Sequence, residues 1–182
     1  MRQYTAPSSA ETIGLLLQAF YDNLEESNTR PIMEKHGVVN LDPQKWYPTQ
    51  MLLNALNDLK HYPGFSSNMT AIGLKTGETV PVPPEIGEPT LEKVIGIWDS
   101  LFQMLHRNGD VGCIRIEKVT EKHFKTIHTV VYPDDMSYGI LYAYGRRFLP
   151  PKTSFLVYYD PEIRARDYGG DGAETIIHIK WD

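Results

Sequence analysis

The sequence predicts an α+β fold in which N-terminal helices pack with a four-stranded antiparallel sheet arranged as hairpin, helix and hairpin. Apolar residues recur at helical spacing through residues 1–110, and from Val111 the period changes to two, which is typical of strands. A tyrosine-rich helical stretch separates two strand pairs. At 182 residues the chain is predicted to be one domain, 1–182, with a mainly helical part (1–110) and a sheet part with one helix (111–182).

Composition narrows the class of protein. Hydrophobic residues make up 41% and charged residues 23%, as in an ordinary globular domain, and the net charge of −5 argues against a protein that tracks nucleic-acid phosphates. The single cysteine, Cys113, excludes an internal disulfide and fits a reducing compartment. No apolar run approaches the roughly 20 residues of a membrane span, and the first residues lack the apolar core of a secretion signal. We therefore expect a cytoplasmic protein without a membrane span.

Two helices are predicted in the first 60 residues. The first runs from Pro7 to residue 27, because Ser8 and Glu11 have capping-box spacing before an amphipathic stretch. Its buried face is Ile13, Leu16, Leu17, Phe20 and Leu24. The second begins near Pro48, after Trp46 and Tyr47. Its stripe is Leu52, Leu53, Leu56 and Leu59.

A third long helix is the strongest helical pattern of the sequence. A short helix in "SSNMTAIGLKTG" comes before it, followed by a connector that the prolines Pro81, Pro83, Pro84 and Pro89 keep irregular. The third helix is predicted to begin after a Thr90 cap and to end at Asn108–Gly109. Its apolar residues are Leu91, Val94, Ile95, Trp98, Leu101, Phe102 and Leu105.

The sheet is predicted from two β-hairpins. "VGCIRIEKV" and "HFKTIHTVVY" read as strands joined at "TEK". "TSFLVYYDPEIRARDYGGDGAETIIHIKW" reads as a second pair around the turn "YGGDG". Together they predict one antiparallel sheet with helices on one face.

The strong catalytic motifs are missing, since the sequence has no phosphate loop, dinucleotide-binding glycines, nucleophile elbow or paired-histidine zinc helix. Asp134 and Asp135 could be an acid and base pair, but carboxylates at a helix start more often cap the helix. Arg146 and Arg147 suit a solvated helix end, and Cys113 suits a small core position. We predict a non-catalytic protein.

The histidines leave two interpretations open. His106 follows Leu105 at the end of the third helix, where it could interact with the free carbonyls and the helix dipole or could ligate a metal or haem iron. His123, His128 and His178 fall in predicted strands, and we favour sheet or surface positions over metal ligation for each.

A cleft between the third helix and the tyrosine helix is the predicted binding site. Tyr138 and Tyr142 share one helix face and Tyr144 turns away, so the first two could present rings and hydroxyls to an apolar space. A fully packed core predicts the same apolar stripes. The predicted pocket residues are Trp98, Leu105, His106, Tyr132, Tyr138 and Tyr142.

The order of elements resembles a superfamily shared by haem nitric-oxide/oxygen-binding (H-NOX) domains, vinyl-reductase-type ligand domains and TRAPP vesicle-tethering subunits. "SLFQMLHRN" resembles the helix that bears the proximal haem histidine, and "HTVVYPDDMSYGILYAYGRRF" resembles the strand and helix of the haem-propionate motif. On this mapping His106 would be the iron ligand. The family's propionate motif of tyrosine, serine and arginine falls on Tyr132, Asp134 and Met136, so only the tyrosine is kept.

The resemblance implies a ligand or a partner held between helices and sheet. We therefore predict a sensor or carrier of an apolar small molecule, with tetrapyrroles among the candidates. One alternative is a haem-based sensor of NO or O₂ with His106 as the proximal ligand. Another is a TRAPP-like assembly subunit that pairs with its own copy or with a signalling partner protein. Haem is the one candidate cofactor, and the sequence does not identify the ligand.

Overall fold

The computed structural model describes residues 1–24 and 29–182. Within these residues the helices are α1 (Gly14–Asn23), α2 (Arg30–Lys35), α3 (Thr49–Leu59), α4 (Phe65–Thr79), α5 (Leu91–Gly96), α6 (Trp98–Gln103) and α7 (Asp134–Phe148). The strands are β1 (Glu11–Ile13), β2 (Trp46–Pro48), β3 (His106–Arg107), β4 (Ile114–Thr120), β5 (His123–His128), β6 (Phe155–Tyr159) and β7 (Thr175–Trp181). Short 3₁₀ turns cover Pro84–Ile86 and Arg166–Tyr168. The predicted end of the first helix, residues 25–27, lies outside the described residues.

The predicted four-stranded antiparallel sheet is confirmed, with strand order β4-β5-β7-β6. In the central pair the register runs from His123 opposite Lys180 to His128 opposite Thr175. Phe124 of β5 and Ile179 of β7 belong to the hydrophobic core, because one face of the sheet is covered by helices. This α+β arrangement is the predicted fold class.

Helix α7 lies between the sheet and helix α4. On the sheet side, a Cβ on Gly145 would meet the Phe155 ring at 2.6 Å. On the α4 side, a Cβ on Gly73 would lie 2.1 Å from the Met136 carbonyl oxygen, and one on Gly139 would lie 2.2 Å from the Thr70 carbonyl oxygen. The two helix backbones therefore touch where both carry glycine, and α7 is buried on more than one face.

A second, three-stranded sheet of order β2-β1-β3 was not predicted. The predicted capping box is wrong, because Glu11 lies in β1 and its carboxylate accepts hydrogen bonds from Arg107 and Asn108. Helix α1 begins at Gly14 without a side-chain cap. Strands of two or three residues are too short for a period of two to be visible in the sequence, which explains the miss.

The predicted third helix is wrong in its continuity. Its Thr90 cap is confirmed, since the threonine hydroxyl accepts a hydrogen bond from the Lys93 amide at 3.4 Å. The helix is interrupted after Gly96, at Ile97, and resumes as α6. After α6 the chain enters β3, where the prediction had the last turn of the helix. Glycine is among the weakest helix formers, which favours a break at Gly96. The apolar spacing is the same on both sides of the break, so the sequence pattern predicted a single helix. His106 of β3 pairs with Thr12 in the small sheet.

Candidate functional site

An apolar cavity of about 60 Å³, partly open to the surface, lies between α6, α7 and the chain that enters α7. Of the predicted pocket residues, Trp98, Leu105 and Tyr132 line it. Met136, Ile140 and Tyr144 of α7, Leu101 and Phe102 of α6, and Val130 form much of the remaining wall. Trp98 packs edge-on against Tyr144, with ring centroids 5.4 Å apart. The two helices predicted to form a cleft, here α6 and α7, thus line one cavity, although that cavity is small.

Tyr132 connects the cavity wall to a buried chain of hydrogen bonds. Its hydroxyl oxygen lies 2.8 Å from His106 Nε2 and 3.0 Å from Thr12 Oγ1. Thr12 Oγ1 is in turn 2.8 Å from Thr49 Oγ1. With Tyr132 donating to His106 and Thr12 donating to Tyr132, each hydroxyl proton is used once. The chain ties the entry of α7 to the small sheet and to α3.

Both ring nitrogens of His106 have partners. Nδ1 donates to the Phe102 carbonyl at 2.8 Å and Nε2 accepts from Tyr132, which fixes the neutral tautomer with the proton on Nδ1. Burial lowers the pKa of His106, and the bond to the Phe102 carbonyl opposes this only in part. The side chain of His106 therefore acts as a neutral hydrogen-bonding bridge beneath Tyr132.

Tyr138 and Tyr142, two other predicted pocket residues, lie against β6 instead of the cavity. The Tyr138 hydroxyl donates to the Val157 carbonyl at 3.0 Å, and the Tyr142 ring packs on Phe155 at 5.1 Å. Tyr144, predicted to turn away, is the tyrosine of α7 that faces inward. Because α7 is covered on several faces, its periodicity did not reveal which face meets the cavity.

The start of α7 is held by a buried ionic cluster that no sequence pattern indicates. The Asp134 carboxylate accepts hydrogen bonds from Arg166 Nη2, from the Asp167 amide at 3.1 Å and from Thr175 Oγ1 at 2.6 Å. In return the Asp134 amide donates to Asp167 Oδ2 at 2.7 Å. The expectation that Asp134 caps its own helix is therefore wrong, because the 166–168 turn supplies its partners.

Arg2 completes this cluster, with Nε 3.0 Å from Asp167 Oδ1 and Nη2 donating to the Val130 and Tyr132 carbonyls. Burial, followed by the charge of Asp134, raises the pKa of Asp167. The positive charges of two arginines therefore offset the negative charges of two aspartates in this cluster. The partners lie more than 30 residues from Asp134 along the chain, which is why no local pattern indicates them.

Asp135 is likewise occupied by side chains. Its carboxylate accepts from Tyr159 and Ser66 at 2.7 Å and from Tyr168 at 2.8 Å. Burial raises the pKa of Tyr168 to about 12, so this phenol stays protonated and donates. A carboxylate with three hydroxyl donors is a structural anchor, and Asp135 does not cap α7.

Three other residues that the sequence analysis singled out lie outside the cavity wall. Arg147 donates to the Gly77 and Val80 carbonyls at the end of α4, so its guanidinium is not merely solvated. His128 is fully buried, and its ring meets Trp98 edge-on at 5.2 Å. Cys113 is a half-buried free thiol.

Residues 1–24 and 29–182 contain no group of three or more His, Cys, Asp or Glu side chains placed to hold a metal ion. In the same part of the chain, no helix combines the length and apolar character that crossing a membrane requires.

Solved structures with the same fold are H-NOX domains, although no protein-family model and no curated sequence gives a match. The Fe(II) unliganded H-NOX mutant A71G from K. algicida superposes with a TM-score of 0.66 at 13% identity, covering 93% of this chain and 96% of that chain. An H-NOX mutant from S. oneidensis in the Fe(II) ligation state gives 0.65 at 12% identity, with coverages of 93% and 96%. An oxygen-binding H-NOX domain related to soluble guanylate cyclases gives 0.60 at 12% identity, with coverages of 93% and 92%. The chain has the H-NOX fold.

The residues of this chain do not fit haem. The cavity of about 60 Å³ is far below the roughly 300–1,000 Å³ of pockets that enclose drug-sized ligands. His106 has no nitrogen free for iron. At the positions of the propionate motif, Asp134 is an anion bound to Arg166 and Met136 offers no cation.

Proposed function

We propose that this chain is a non-catalytic sensor domain that binds a small apolar molecule in the cavity beside Tyr132. The observation that carries the proposal is a small, partly open apolar space whose wall includes the head of a buried hydrogen-bond chain. An engineered protein cavity of about 150 Å³ takes benzene or xenon, so about 60 Å³ suits a guest of only a few heavy atoms. A dissolved diatomic gas or a short hydrocarbon has this size, and a tetrapyrrole does not.

Tyr132 gives this site a route for signalling. A guest that presses on the Tyr132 ring would strain the hydroxyl's bonds to His106 and Thr12, which belong to the small sheet. A guest shifts the population of two arrangements only by its difference in affinity for them. The proposed output is therefore a change in the small sheet or in α3, reached through Thr12 and Thr49.

Xenon is a suitable probe for the cavity. In the full chain we expect xenon pressure to shift the methyl NMR signals of Leu105 and Ile140 and to raise the thermal unfolding midpoint, because a ligand that binds only the folded state stabilises it. Val130→Phe, which places a ring in the cavity, should remove both responses. Val119→Phe, at a half-exposed position, is the matched control and should keep them.

Two results would overturn the proposal: cavity methyl signals of the wild type that do not respond to xenon, or a Val130→Phe chain that responds like the wild type. Leu101→Phe fills the same cavity from its partly exposed side and replaces Val130→Phe where that variant does not fold.

A haem-based gas sensor is the second candidate, and the fold likeness to H-NOX structures described as Fe(II) and oxygen-bound forms favours it. The visible spectrum after haem is added to the purified chain distinguishes the two. We expect no Soret band beyond that of free haem. A shifted Soret band that disappears in His106→Ala would replace the first proposal with the second.

A further inference from the structure

Two histidines that are 55 residues apart in sequence meet on the face of the large sheet that α7 does not cover. Phe124 points into the core, so its neighbour His123 points to the opposite face. In the register, Lys125 is opposite His178, and His178 is opposite Tyr158. His123, His178 and Tyr158 therefore share this outer face, on three adjacent strands.

Donor atoms of these side chains converge. His123 Nε2 lies 2.9 Å from His178 Nδ1 and 3.4 Å from the Tyr158 hydroxyl oxygen. The rings of Tyr158 and His178 are nearly parallel, at 6°, with centroids 4.8 Å apart, and this stacking holds the His178 ring. Two bonds of about 2.0–2.1 Å to one metal ion, at angles between 90° and tetrahedral, place their donors about 2.9–3.4 Å apart. The observed spacings fall in that range.

Asp160 contacts the ring nitrogen of His178 that faces away from His123. Its Oδ2 lies 2.9 Å from His178 Nε2, so the carboxylate accepts the Nε2 proton and leaves the lone pair on Nδ1, directed at His123. Burial alone would raise the pKa of Asp160, but the hydrogen bonds from His178 and from the Glu162 and Ile163 amides together lower it. A carboxylate on the far nitrogen is the arrangement that orients and strengthens a metal-binding histidine.

We propose that His123 Nε2 and His178 Nδ1 bind a divalent transition-metal ion of the Zn²⁺ class, with Tyr158 beside it and Asp160 as the orienting carboxylate. Imidazole nitrogen is a preferred donor for such ions, and water completes the coordination. On binding, the proton shared between the two rings moves to His123 Nδ1, so each ring stays neutral. This site is separate from the cavity and does not depend on the proposed function.

The charged side chains around the site are of both signs. Lys180 lies opposite His123 in the register and opposes a positive ion, whereas Lys125 is 3.5 Å from Glu117, which offsets its charge. Asp160 supplies the negative charge closest to His178.

Calorimetric titration of the full chain with Zn²⁺ tests the site. We expect one ion per chain, and an affinity at least tenfold weaker in His123→Ala and in His178→Ala. Asp160→Asn should weaken binding about 10–100-fold, as loss of an orienting partner does at known sites. His61→Ala, at an exposed turn, is the matched control and should bind like the wild type.

A wild-type chain that binds no Zn²⁺, or one that binds it equally well after either His123→Ala or His178→Ala, would overturn the proposal. Nitrogen-15 NMR of the histidine rings gives a readout that needs no variant. Zn²⁺ should move the signals of His123 Nε2 and His178 Nδ1 most, and a response confined to other histidines would contradict the site.

Discussion

Among single residues, His128 is the clearest cause of acid sensitivity. The side chain is fully buried, and its Nε2 donates to Thr126 Oγ1 at 2.8 Å, since the threonine proton goes to the Ile177 carbonyl. Nδ1 has no hydrogen-bond partner. Burial lowers the pKa of His128 to about 3, so the ring stays neutral in the folded protein.

We predict that the free energy of unfolding decreases as the pH falls from about 6.5 toward 3, because the unfolded chain protonates His128 near pH 6.5 and the folded chain near 3. One such group contributes a slope of about 1.4 kcal/mol per pH unit in that window. Urea unfolding between pH 4.5 and 7 measures it. His128→Gln should be less steep than the wild type, and an equal slope in both would contradict the assignment. His61→Gln serves as the control.

Tyr132 is the residue on which the hydrogen-bond chain depends. Tyr132→Phe keeps the ring but leaves His106 Nε2 and the Thr12 hydroxyl without this partner, so we predict a loss of about 1–3 kcal/mol in the free energy of unfolding. Chemical denaturation measures the loss. Tyr142→Phe is the matched control, because Tyr142 is 37% exposed and lies outside the cavity. Equal effects of the two changes would argue against a structural role for the chain.

At the scale of elements, the contact of α4 with α7 is determined by glycine. Gly139→Ala would bring a methyl group to 2.2 Å from the Thr70 carbonyl oxygen, so the helices must move apart. We predict a loss of about 1–3 kcal/mol or more, measured by denaturant unfolding. In Gly96→Ala nothing lies within 4 Å of the new Cβ, and stability should be unchanged or slightly higher. A neutral Gly139→Ala would mean that the helices are not in backbone contact.

The elements that the sequence predicted well are those with a long uninterrupted period. The large sheet, α3 and α7 all have at least five residues of clear pattern, and each is confirmed. The small sheet was missed because its strands are two or three residues long. The third helix was predicted to continue past Gly96 because the apolar spacing continues there. That spacing reflects which side chains are packed and does not report whether the helical backbone is continuous.

The candidate site was only partly predictable for a different reason. Apolar stripes brought Trp98, Leu105 and Tyr132 to the cavity, but the partners of Tyr132 and Asp134 come from distant parts of the chain. The His123–His178 pair has the same origin, because only the strand register places these side chains together. Pairings of this kind depend on topology, which a local pattern does not contain.

For the molecule as a whole, the H-NOX fold is combined with an interior whose residues do not fit haem. The chain superposes on H-NOX structures over 93% of its length, at 10–13% sequence identity. The interior of this chain holds the hydrogen-bond chain of Tyr132 and the Asp134–Arg166 cluster. Buried networks of this kind are costly to leave partly satisfied, so a guest that strains the bonds of Tyr132 should move the small sheet together with it.

The apolar space beside Tyr132 is proposed to accept a guest of a few heavy atoms. A crystal structure determined under xenon pressure tests this most directly. We predict a xenon peak enclosed by Leu105, Tyr132 and Ile140, with the Tyr132 ring still facing it. A structure in which the protein's own side chains fill that space and no xenon enters it would contradict the account.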